Sequence, residues 1–492
     1  MDRSFAAVAF ALCAACELGG AWAEQREIAP AVLFVRQQAQ PQSAPADGSE
    51  ARPFSSLQAA VNAAPAGALL RIDAGVYRET LVITRPVVLL GRGAGRTRLV
   101  AMDARGTALE GRAADHVQIH GLSIEGGATC AVFTGGDVKL QKVELRGCSD
   151  AALVGRGAEI ELASSTVSDV SGGREGRGID LQGGSLEARG VVFHDAGRRA
   201  IQLNGAKGLL EDVEVRGSSL SALQATGGAD ARVVRGNYEG RGGATLYAGA
   251  SQLRVESARI RRGEYSVLGF RGAELVVIGG ELTDYGVAGV AMVNSHGSVE
   301  NVTLARGGTD AAISITRSDG KKPVLLIDNR ISNPGPMGVH VTESAVTARG
   351  NTITGAKLDA EKDMGDAFYA VDSRLVIEQN VMRGNAGSGV TALRSQVRLN
   401  GNGFIGNGRS GLLLLDGSRG SATGNSFDRN HKSGVELGEQ AQATLTQNRF
   451  GGNLRLDIDV GCGSGLSGKA EIGEGNRALG GPLRQRTCPN TP

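Results

Sequence analysis

The stretch GNGFIGNGRSGLLLLDGSRGSATGNSFDRNHKSGVEL, residues 401–437, says one phrase twice. Each half runs Gly-Asn, a small apolar turn, a second Asn, Ser-Gly and then an apolar run. The marker Asn recurs at Asn329, Asn351, Asn380, Asn402, Asn425 and Asn448, with steps of 22, 29, 22, 23 and 23 residues. Polar insertions, SDGKKP at 318–323 and GAKLDAEKDMGD at 355–366, account for the long spacings. Upstream the phrase is worn but the period persists, as in NVTLARGGTDAAISI from Asn301 and NYEGRGGATLYAG from Asn237.

Short β-branched and apolar runs at this period, with no helical spacing, mean a repeat in which each unit cannot bury its own apolar face. Leucine-rich repeats share the period, but their fixed Leu/Asn pattern is missing. The prediction is all-β: a right-handed parallel β-helix, or solenoid, with a short N-terminal capping helix. Each coil adds one rung to several parallel sheets. Inward positions stack Val, Ile and Leu, Asn amides ladder at one corner, and Gly supplies corners with positive φ. Between residues 80 and 460 about fifteen coils of ~22 residues fit, a rod of roughly 70 Å at about 4.8 Å per rung.

Composition fits a solenoid better than a set of ordinary domains. The chain has 492 residues, 75 of them Gly, with 4% aromatics. A net charge of +2 provides no global field for nucleic acid or an anionic membrane, so neither is an expected partner. Arg3 followed by FAAVAFALCAAC and AWA reads as a cleaved signal peptide over residues 1–23. A lipoprotein at Cys16 is the rival reading. No transmembrane segment is expected, and the product should be a periplasmic or secreted monomer.

Four cysteines follow the signal, expected as disulfides Cys130–Cys148 and Cys462–Cys488. Residues 24–52, rich in Ala, Gln, Pro and Ser, read as a flexible linker. The β-helix should occupy 53–460 and a C-terminal cap 461–492. In FSSLQAAVNAAPAG, Ser55 or Ser56 can cap a helix from Leu57 to about Ala64, which covers the open end of the rod.

The stretch FSSLQAAVNAAPAGALLRIDAGVYRETLVI resembles the opening of pectinesterase-like proteins of the pectin-lyase-like superfamily. The GNxFxxN…SGV phrase is similar to the repeats of NosD-like and carbohydrate-active β-helix proteins. The resemblance covers nearly all of the mature chain. It implies a right-handed parallel β-helix and, for function, a carbohydrate ligand.

The register asks which outward residues line up. Ten residues after each marker Asn comes an apolar residue (Val339, Val390, Leu412, Val435, Ile458), so the eleventh points outward. That row reads His340, Tyr369, Thr391, Leu413, Glu436, Asp459, and upstream it continues through Ser314 and Tyr247 to Asp180. Such a strip suits an extended sugar chain. Proton abstraction from a uronate needs a base, an acid and a cation to neutralise the carboxylate. His340 is the candidate base and Tyr369 the candidate acid. Tyr247, Arg271, Arg317, Lys321 and Lys322 are candidate substrate-binding residues.

Glu436 and Asp459 stand one coil apart and form a possible cation site, with Ca²⁺ possible and no cofactor required. Arg394 and Asp416 are expected to pair across coils. Three functions follow as expectations. The first is a lyase or C5-epimerase on an acidic polysaccharide. The second is a non-catalytic glycan-binding or export-guiding β-helix. The third is a structural or adhesive rod.

Overall fold

The computed structural model describes residues 31–37, 45–172, 175–318, 322–359, 361, 363–462 and 467–488. The expected signal segment, residues 1–23, and Lys321 lie outside them. The strands form three parallel sheets, one of 19 strands and two of 18. The coil that contains the first half of the opening phrase shows the plan. Gln396–Asn400 lies in the first sheet, Gly403–Ile405 in the second and Leu412–Leu415 in the third. The chain then re-enters the first sheet at Arg419–Thr423, hydrogen-bonded in register to Gln396–Asn400.

The phrase is explained position by position. Leu399, Phe404 and Leu414 are buried from three sides of the coil, each side chain stabilising by about 1.5–3 kcal/mol. Phe404, Phe427 and Phe450 stack with centroids 4.6 and 5.2 Å apart. The Gly of each Ser-Gly makes room for the next ring: a Cβ on Gly411 would lie 2.5 Å from Phe427 Cδ1.

Asn402 is buried, and its amide donates to Ile377 O at 2.7 Å and to Asn425 Oδ1 at 2.9 Å. The same ladder runs rung by rung from Asn329 to Asn476. A second ladder, Asn385, Asn407, Asn430 and Asn453, holds the next corner of the same coils, between the second and third sheets. A third runs through Ser318, Ser344, Ser373, Ser395 and Ser418. Upstream the first ladder stops. Asn301 stands one residue short of the ladder position, and Val302 occupies it, donating its backbone N–H to Asn329 Oδ1 at 3.0 Å.

The rod is longer than the sequence estimate because both ends add coils. Val32–Val35, within the arm read as a linker, pairs parallel to Ala68–Ile72 and covers the first sheet's edge. The helix Leu57–Ala63 is N-capped by Ser56, which accepts from Ala59 N. Glu79, from the GVYRE stretch, accepts from the backbone N–H groups of Leu57 and Gln58 at the same helix terminus. Past Val460 another coil forms, Lys469–Ile472, Arg477–Ala478 and Gln485–Arg486, pairing with the rung before it. The disulfides Cys130–Cys148 and Cys462–Cys488 are both formed, with Cα atoms 5.7 and 5.4 Å apart. Among the described residues no helix is long and apolar enough to cross a membrane.

Candidate functional site

The outward row of the third sheet is the one read from the sequence. Ser314 pairs with His340, His340 with Tyr369, Tyr369 with Thr391, and Glu436 with Asp459. The upstream part also keeps register, Asp180 to Gln202 to Gln224 to Tyr247. Strands of period two turn this row away from the core that Val339 and Val341 fill, although Asp180, Thr391 and Asp459 are themselves buried.

His340 is only 24% exposed and is held at both ring nitrogens. Its Nδ1 lies 3.0 Å from Asp310 Oδ1, and its Nε2 lies 3.2 Å from Thr342 Oγ1. Asp310 ends the turn just before the strand Ala311–Thr316, one coil upstream. A carboxylate facing Nδ1 assigns the ring proton to that nitrogen and leaves Nε2 as an acceptor. The Tyr369 ring stands edge-on to His340, centroids 5.8 Å apart at 68°. Burial first, and then the nearby Asp366 charge, push the Tyr369 phenol above its ordinary value, against the opposing charge of Arg394. The phenol is therefore a proton donor at neutral pH.

Asp366 is the third acidic element, and it lies at the end of the 355–366 insertion. It is buried and accepts from Ser388 N at 2.7 Å and from Thr391 Oγ1 at 2.8 Å. Burial raises its pKa, and those two hydrogen bonds partly offset the rise. Arg409 forms an ion pair with Asp363 of the same insertion. Asp366 and Glu436 also act on its charge. Arg409 is thus a cation close to three carboxylates, Asp363, Asp366 and Glu436.

The cations singled out from sequence stand elsewhere. Arg271 and Arg317 follow the last strand residues, Phe270 and Thr316, at positive φ of 54° and 52°. That conformation turns each chain off the third sheet, so neither residue shares the His340 row. Arg317 pairs with Glu343 at 3.4 Å. Lys322 lies at the end of the 318–323 insertion, along the same corner. Tyr247 keeps the row but lies four rungs upstream of His340.

The Glu436–Asp459 pair is adjacent as expected, yet each carboxylate already has partners. Buried Asp459 is bracketed by Arg486 at 2.6 Å and Arg455 at 3.5 Å, and Glu436 accepts from Ser410 Oγ at 2.5 Å. Arginines therefore supply the positive charge at Asp459. Arg394 meets Asp416 at 3.4 Å, as expected, and Asp372 more closely at 2.8 Å.

Sequence reasoning missed Asp310, Asp366 and Arg409. All three sit in the turn that enters the third sheet, outside the alternating strand register. The available signal was positional: TDAAISI and MGDAFYA each place an Asp just ahead of a strand in this row.

A solenoid of three parallel sheets with inward apolar stacks and an Asn ladder defines the class as a parallel β-helix. The family model described as a right handed beta helix region matches residues 177–353 and 288–450, and the chain belongs to that family. No curated protein matches the sequence.

Among solved structures, it is similar to a catalytic unit of a thermostable α-1,3-glucanase from Streptomyces thermodiastaticus. That match has 13% identity and a TM-score of 0.22, and covers 88% of this chain and 66% of that one. It is similar to the A-module of a mannuronan C-5 epimerase from Azotobacter vinelandii, with 15% identity, a TM-score of 0.28 and coverage of 86% and 94%. It is similar to a pectin methylesterase from carrot, with 14% identity, a TM-score of 0.25 and coverage of 62% and 84%.

Proposed function

We propose that this chain acts on an acidic polysaccharide by abstracting the C5 proton of a uronate, as a lyase or a C5-epimerase. The observation that carries this reading is the pairing of His340 and Tyr369 on one outward row with Asp310 of the preceding turn, at separations of 3.0 Å for Asp310–His340 and 5.8 Å for His340–Tyr369. His340 Nε2 takes the C5 proton, and Asp310 holds the ring in the required tautomer. Tyr369 gives its phenolic proton to the O4 leaving oxygen as the C4–O4 bond breaks and the C4=C5 double bond forms. In an epimerase the phenol instead delivers its proton to the opposite face of C5. Arg409, paired with Asp363 of the insertion, is the proposed cation for the uronate carboxylate. No cofactor is needed for these steps.

The two disulfides support an oxidising compartment, periplasmic or secreted. The test is a panel of uronate polymers, with and without Ca²⁺. Absorbance of the unsaturated product reports a lyase, and solvent deuterium entering C5 reports an epimerase. Activity that disappears in His340→Ala supports the reading. Turnover of no polymer by either readout overturns it and leaves the second reading, a glycan-binding β-helix, which the polar outward residues Ser314, His340, Tyr369 and Thr391 on successive coils favour.

A further inference from the structure

The corner that leaves the third sheet carries a row of its own. Arg271, Asn294, Arg317, Glu343, Asp372 and Arg394 follow one another rung by rung, all at φ between 47° and 54°. Each projects from the same edge of the rod. The downstream half neutralises itself, because Arg394 lies between Asp372 and Asp416. The upstream half does not. Arg271 and Arg317 flank the neutral Asn294. Among the described residues Arg317 has a single carboxylate partner, Glu343, at 3.4 Å with both side chains more than half exposed, an arrangement of little energetic weight. Among the described residues Arg271 has no carboxylate partner, and its guanidinium lies over the Phe270 ring at 5.1 Å.

These cations line hollow space. One cavity of about 440 Å³ is bounded by Arg271, Asn294, Arg317 and Glu343. A second, of about 690 Å³, adjoins it through Asn294 and Arg317, and adds His296, Lys322 and the carboxylate of Glu274. The wall of the second depends on Gly297: at φ 143° a Cβ there would lie 1.7 Å from Leu275 O, so only glycine lets the strand sit this deep. The volume suits a sugar ring. A guanidinium stacked on an aromatic ring keeps its planar fork free for a carboxylate or sulfate.

We infer that this corner is an oxyanion-binding site, formed by Arg271, Arg317 and Lys322 and separate from the His340 row. Its occupant is a carboxylate or sulfate group, free or carried on a saccharide. The site stands whether or not His340 is catalytic.

The test is calorimetric titration at low ionic strength with sodium sulfate and, separately, with a uronate trimer. It compares the wild type, Arg271→Ala/Lys322→Ala and His340→Ala. The expected result is binding by the wild type and by His340→Ala, weakened at least tenfold in the double variant. The double variant should melt like the wild type, since the exchanged corner side chains are exposed, and the fold of His340→Ala is checked by its own melting curve. Binding of both probes supports a site for the bare oxyanion, and binding of the trimer alone supports one that also reads the sugar. Equal binding by wild type and double variant, or binding of neither probe, overturns the inference. Loss confined to His340→Ala moves the anion to the His340 row and also overturns it.

Discussion

Asp310 and His340 belong to successive coils, and their side chains meet at 3.0 Å across the rung boundary. The pair therefore exists only when two neighbouring coils are stacked in register. His340→Ala is expected to lower kcat on the responsive polymer by at least about 100-fold, while circular dichroism still shows the folded β-helix. Asp310→Asn keeps the shape and loses the charge that selects the tautomer. It should fall by a comparable factor in kcat with little effect on KM, as steady-state kinetics will read.

Tyr369→Phe retains the edge-on ring contact with His340 and removes only the phenolic proton. A drop of roughly 100-fold in kcat, with substrate affinity measured by calorimetry unchanged, is expected if the phenol is the acid. Unaltered turnover would assign the proton donation to another group.

Asp366 titrates above the usual carboxylate range because burial disfavours its charge. For an acid with a raised folded pKa, the protonated form contributes stability below the unfolded value of about 3.9. That contribution is lost as pH rises through the folded value. Asp366→Asn keeps an oxygen to accept from Ser388 and Thr391 but has no proton to lose. Denaturant unfolding at pH 3 to 7 should show the variant gaining on the wild type as pH rises.

Asn402→Ala removes two donated hydrogen bonds and the Oδ1 that accepts from Asn380 N at 2.9 Å. A buried N–H left without a partner costs about 1–3 kcal/mol. Urea unfolding should register a loss of that size, whereas Asn301→Gly, outside the ladder and at a φ of 53° that glycine adopts freely, should be close to neutral.

Reduction of Cys462–Cys488 opens a loop with a sequence separation of 26. The chain-entropy account gives about 3 kcal/mol for such a loop. Cys462→Ser/Cys488→Ser should therefore melt earlier, with amide exchange rising first in Lys469–Ile472.

The outward row was legible because a strand's period of two is rigid once one inward residue is known. Val339 inward puts His340 outward, and the same logic placed Tyr369 beyond a 12-residue insertion. The turns were not legible in this way. Asp310 and Asp366 enter the site through the segment between the second and third sheets, whose length varies from coil to coil. Arg317 was drawn to His340 by closeness in sequence order, but one left-handed residue after the strand sends it around a corner. The loose-looking arm hid Val32–Val35 because a four-residue strand with no repeat partner upstream carries no periodic signal.

A solenoid is nearly one-dimensional, since each coil touches only its neighbours. Its mechanical character can therefore change partway along. From Asn329 onward, successive coils are stitched by buried amide and hydroxyl side chains as well as backbone. Before Val302 the Asn ladder is absent among the described residues, and buried hydroxyl bridges such as Ala229 N to Ser251 are joined by exposed pairs such as Arg235–Asp212. Those pairs weaken with salt, and buried amides do not. The rod is thus a soft segment joined to a stiff one. Under load or high ionic strength it should peel from the N-terminal side, with His340 near the seam.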